Sequence, residues 1–132
     1  MIQIRYSDSC ELDIASSPRG YAEIAAAIAD LTSSTKDELM FQAETQFDPT
    51  PYEHKIPTLI IRRSHGPILV QVKNLSEVVI SGSADALDAM RSSLKFADDS
   101  QFPDHRHFEY FEGHPIIDPE SIPIVFSVAK ER

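Results

Sequence analysis

The chain has 132 residues, 42% hydrophobic and 25% charged, a balance that supports one globular core and excludes an intrinsically disordered chain. Twenty-one acids against twelve bases leave a net charge of -9, which excludes nucleic acid as the main partner, because phosphate binding asks for a basic face. No apolar run approaches the roughly 20 residues of a membrane helix. The opening MIQIRYSDSCELD has no apolar core of signal-peptide length, and the single Cys10 has no internal disulfide partner, so a cytoplasmic protein is expected.

In chain order, Ile2, Ile4 and Tyr6 alternate, as do Cys10, Leu12 and Ile14, with the turn-prone Ser7-Asp8-Ser9 between them. That pattern predicts a β-hairpin with Cys10 as a small core thiol. SSPRGYAEIAAAIADL follows, with Tyr21, Ile24, Ile28 and Leu31 on one helical stripe. Ser17 suits its N-cap and Pro18 its first turn. Leu39, Phe41, Ala43 and Phe47 fit a half-buried strand, while Thr35-x-x-Glu38 resembles a capping box and makes a helix the competing reading. DPTPYEHKIP reads as a loop with His54 at the surface.

LIIRR and ILVQV flank Ser64-His65-Gly66-Pro67 and read as a hairpin bridging the two halves of the chain. VVIS leads into a second helix, SGSADALDAMRSSLKF, with Leu87, Met90 and Leu94 on its stripe. Ser83 is its expected cap, with Asp85 in the first turn and Lys95 in the last. HRHFEYF reads as a strand and PIVFSV as the closing strand.

Sliding the chain against itself by 66 residues, half its length, brings these features together. Ser17 meets Ser83, Ile24 meets Met90, Ile28 meets Leu94, and Ile2 and Ile4 meet Ile68 and Val70. The gapless apolar register predicts a tandem of two ββαββ units, residues 1–66 and 67–132, within one domain. The expected fold is α+β, a mainly antiparallel sheet with two helices on one face.

Charge is unevenly spread. From Asp98 to Glu120 there are seven acids (Asp98, Asp99, Asp104, Glu109, Glu112, Asp118 and Glu120) and one base, Arg106. Lys55 to Lys73 has four bases and no acid. The acidic segment also carries His105, His107, Phe108, Tyr110 and Phe111, the mixture of steering charge and aromatic anchor that protein interfaces use. Read as an interface, it comprises Asp98, Asp99, Asp104, His105, His107, Glu109, Tyr110, Glu112, Asp118 and Glu120, facing a basic protein.

On a strand, His105, His107 and Glu109 would share a face, and two imidazoles with a carboxylate are a possible zinc or acid/base set, with His114 as an extra ligand. No ligand from another element completes that set in the sequence, and the expectation is no metal, no cofactor and no catalysis. Ser81-Gly82-Ser83 reads as a helix cap rather than a phosphate loop, and no nucleophile-elbow motif occurs.

The succession EVVISGSADALDAMRSSL, HRHFEY and ESIPIVFSV resembles the small α+β immunity proteins of bacterial polymorphic toxin systems, in the family numbered thirty-two among the predicted immunity families. The resemblance rests on Leu87, Met90 and Leu94, on His105 and His107, and on Ser121 to Val128, about half the chain. In the first half Leu39 and Phe41 stand where the histidines would be. The resemblance implies a cytoplasmic, non-catalytic protein that binds and neutralises a cognate toxin domain. Two other classes are carried beside it: an enzyme built on His105, His107 and Glu109, and a subunit of a homo-oligomer paired through its sheets.

Overall fold

Alternating apolar residues build the first hairpin in the computed structural model, which describes residues 1–130. Strand β1 (Gln3–Tyr6) pairs antiparallel with β2 (Leu12–Ser16), Ile4 opposite Ile14. Cys10 is not part of the core as expected. It stands exposed in the connecting turn at φ 66°, because the reversal needs a left-handed residue and β2 begins only at Leu12.

Helix α1 (Pro18–Thr32) starts where its signals place it: the Gly20 N–H donates to Ser17 Oγ at 3.0 Å and Pro18 opens the first turn. Its stripe of Tyr21, Ile24, Ile28 and Leu31 is buried. Next comes β3 (Glu38–Gln42), a strand and not the competing helix; Leu39 and Phe41 lean on the core while Met40 is exposed. The proline-rich loop contains a two-residue strand, β4 (His54–Lys55), paired to Arg5 and Tyr6.

The predicted bridging hairpin does not form. Strand β5 (Thr58–Arg63) pairs in parallel with β7 (Glu77–Gly82), and β6 (Leu69–Lys73) pairs antiparallel with β7 from the other side. Residues 64–68 therefore carry the chain past β7 instead of folding β6 back on β5. Leu59, Ile60, Ile61, Val78, Val79 and Ile80 are all buried, the unbroken apolar run of strands covered on both faces. Such strands are central, and a central strand has no edge free for its sequence neighbour.

Helix α2 (Ala84–Met90) is capped by Ser83, whose Oγ accepts from the Ala86 N–H at 3.1 Å, and carries Asp85 in its first turn. A 3-10 turn, Arg91–Leu94, continues it, so Lys95 falls just past the last turn and Arg91 is the basic residue there. Leu87, Met90 and Leu94 are buried as the spacing requires. Strands β8 (His105–Phe108) and β9 (Ile124–Val128) pair antiparallel.

The strands divide between two sheets, β4-β1-β2-β9-β8 and β3-β5-β7-β6, rather than forming one. Each is mostly antiparallel with one parallel pair, β2 with β9 and β5 with β7. Both parallel pairs join the first half of the chain to the second, so each half completes the sheet of the other. α1 packs on α2 and touches both sheets, and a single buried cluster runs from Ile4 through Leu31 and Ile61 to Phe126. The α+β class is as expected, and the core belongs to the whole chain.

The gapless 66-residue register holds only in part. Ile4↔Ile14 in the first sheet corresponds to Val70↔Ile80 in the second. Beyond the helices Leu39↔Ile61 corresponds to His105↔Ser127, but the parallel pairs slip: Leu12 faces Ile124, yet Val78, which is 66 residues past Leu12, faces Leu59, only 65 before Ile124. Where the register does hold, burial still differs: Leu39 and Phe41 lean inward, whereas His105 and His107, 66 positions on, are exposed.

Candidate interaction surface around β8

Pairing with β9 orients β8. The Val128 N–H donates to the Asp104 carbonyl at 2.8 Å, and the register continues as His105↔Ser127, Arg106↔Phe126, His107↔Val125 and Phe108↔Ile124. In an antiparallel ladder the bonded residues alternate, so Arg106 and Phe108 bond to β9. His105 and His107 turn their main-chain N–H and C=O to the outer edge, where β8 ends the sheet.

Side chains alternate likewise. Phe108 is buried with its ring centroid 6.0 Å from that of Phe126, and the Arg106 guanidinium lies 5.0 Å from the centre of the Phe96 ring. His105 and His107 are exposed, edge to face, with centroids 5.2 Å apart. His105 Nδ1 lies 3.0 Å from the Pro103 carbonyl oxygen. The strand ends at Phe108, so Glu109 does not extend the histidine face as the zinc reading required. His114 Nδ1 is occupied as well, accepting from the Ile116 and Ile117 N–H groups at 3.1 and 3.2 Å, with its ring tilted 60° to that of Phe111 at a centroid distance of 4.5 Å. Among the described residues no three His, Cys, Asp or Glu side chains converge as metal ligands.

The acids fall into two groups. Asp98 and Asp99 follow the 3-10 turn, Asp104 leads into β8, and Glu109 and Glu112 follow it, all exposed. Asp118 and Glu120 belong to the other sheet: the Asp118 N–H donates to Ile68 O at 2.7 Å and the Ile122 N–H to Val70 O at 3.0 Å, so this segment covers the outer edge of β6. Among the described residues none of the seven acids makes an ion pair.

The bases of the Lys55–Lys73 stretch are, by contrast, largely engaged. Arg62 pairs with Glu38 at 3.0 Å, Arg63 donates to Leu31 O and Ser34 O at the end of α1, and Lys55 donates to Phe47 O. These contacts dock β5 and the loop before it, so the basic stretch serves the fold.

The aromatic anchors differ from those expected. Phe108 is core, and Tyr110 is half-buried against the core. The exposed rings are Phe111 (61%) and Phe102 (55%), three residues after and three before β8 in the sequence. Phe102 escaped the sequence reading, though its setting in Asp99-Ser100-Gln101-Phe102-Pro103 marked a turn unable to bury a ring.

Elsewhere, the Tyr6 hydroxyl donates to Cys10 Sγ at 3.5 Å, and this bond, with some burial, pushes the phenol up to about 12. His54 Nε2 stands 2.7 Å from Asp8 Oδ1. The thiol is thus bonded to a phenol and the imidazole to a carboxylate, which ties the first turn to the proline-rich loop without pairing a nucleophile to a base.

Comparison with family models, with curated proteins and with solved structures finds no match. Among the described residues no helix is long and apolar enough to cross a membrane.

Proposed function

We propose that this is a non-catalytic binding protein that holds a basic partner protein through the acidic surface around β8. In keeping with the resemblance of its second half, we read it as a cytoplasmic immunity protein that neutralises a cognate toxin domain. One observation carries the reading: the acids of the 98–112 segment are exposed and unpaired around β8, while bases of the 55–73 stretch are consumed by contacts within the fold. Free carboxylates that the fold does not use are available to a partner, and complementary charge raises the rate of encounter. A toxin that attacks nucleic acid carries the basic face such a surface fits.

The experiment is binding kinetics with the product of the neighbouring gene, at low and physiological salt, for the natural protein and an Asp104→Lys, Glu112→Lys variant. Slower association and a flatter salt response in the variant support the reading. Unchanged kinetics in a folded variant place the interface elsewhere.

A further inference from the structure

We infer that β8 takes up an extended basic segment of that partner as an additional strand, an inference resting on the proposed acidic interface. Of the four strands that end the two sheets, β6 is covered at Val70 by Ser121 and Ile122, and β4 is two residues long within a loop. β3 and β8 remain open. At β3, Glu38 is already neutralised by Arg62. At β8, His105 and His107 present two N–H and two C=O groups outward, and no carboxylate nearby is paired.

Exposed edges invite pairing, and proteins guard them by keeping them short and charged. β8 is four residues long and is flanked in the sequence by the exposed Asp104, Glu109 and Glu112. That guard is selective. A second copy of this chain, itself at -9, would bring like charges together, whereas a lysine- or arginine-bearing strand would neutralise them. Main-chain bonds to His105 and His107 would supply both register and affinity.

Amide hydrogen exchange followed by NMR tests this, with a synthetic peptide alternating lysine and valine as the probe and a glutamate–valine peptide as its counterpart. In the free protein the Arg106 and Phe108 amides are expected to be protected and those of His105 and His107 to exchange rapidly. The lysine peptide is expected to slow His105 and His107 at least tenfold, and the glutamate peptide to leave them unchanged.

His107→Pro removes an outward N–H that β9 does not use, so the fold survives while peptide affinity drops by about tenfold; His107→Ala keeps the N–H and stays within about twofold. Lysine-peptide binding that leaves His105 and His107 exchanging rapidly overturns strand addition but leaves the acidic interface standing. Equal protection by the glutamate peptide, protection that grows with protein concentration alone, or binding of neither peptide also overturns it.

Discussion

The Tyr21 hydroxyl lies 2.6 Å from the main-chain oxygen of Ser127, linking residues 106 positions apart. The same hydroxyl is 2.7 Å from Ile14 O, so one phenol on α1 spans the parallel pair that joins the two halves of the chain. Burial, the largest effect, pushes its ionisation well above the ordinary phenol range. Tyr21→Phe is expected to cost about 1–2 kcal/mol in urea unfolding, because the two carbonyls lose the one hydroxyl donor they share.

A dependence on pH follows from the same group. Its folded-state value stands above the unfolded one, so its contribution is complete below about pH 10, the unfolded value. Above that the unfolded chain loses the proton first, and the contribution is lost as pH rises through the folded value. Stability measured between neutral pH and pH 11 is expected to fall more steeply in the natural protein than in Tyr21→Phe. Parallel curves would show that Tyr21 ionises freely in the folded state.

Asp13 is 3% exposed and bonded by Arg5 at 2.7 Å and by Ser127 Oγ at 2.8 Å. Arg5→Ala strands a buried carboxylate, with an expected loss of about 3 kcal/mol. An Arg5→Leu, Asp13→Leu double variant is expected to be more stable than Arg5→Ala alone. A loss below about 0.5 kcal/mol in Arg5→Ala would mean that the pair behaves like a solvated surface bridge.

At the proposed interface, charge and ring are expected to separate kinetically. Asp104→Lys with Glu112→Lys is expected to slow association, an effect that salt erases because screening confines such charges to about 8 Å at physiological ionic strength. Phe111→Ala is expected to speed dissociation, costing about 2 kcal/mol if the ring is an anchor. Tyr110→Ala would instead lower stability, since that ring packs on the core. A Phe111→Ala variant with unaltered dissociation moves the anchor to Phe102.

Among the described residues, the contact between His105 and His107 is the feature that favours metal chemistry, and zinc decides it. Elemental analysis of purified protein is expected to find no stoichiometric zinc. One equivalent, lost in a His105→Ala, His107→Ala variant, would favour the enzyme reading over the binding one.

Part of the surface was legible along the chain. Period-two alternation in HRHF sends His105 and His107 to one face, where both are exposed. The same alternation sends Phe108 to the other, and following it would have removed that ring from the list of exposed anchors. Asp118 and Glu120 were grouped with β8 by position in the sequence, but the backbone bonds of their segment go to β6.

The sequence by itself determined the helices and their caps, since Ser17, Ser83 and the stripes from Tyr21 and Leu87 act within one or two turns. It also determined the first hairpin, the α+β class and the net charge. Only the tertiary structure decided which strands meet. Thr58–Arg63 pairs with β7 because its burial on both faces asks for a central position, a demand that adjacency to β6 cannot meet. That choice splits the strands into two sheets, draws the 116–122 segment over β6 and leaves β8 at an edge. Strand partners are selected by long-range burial and hydrogen bonding, which local alternation does not encode.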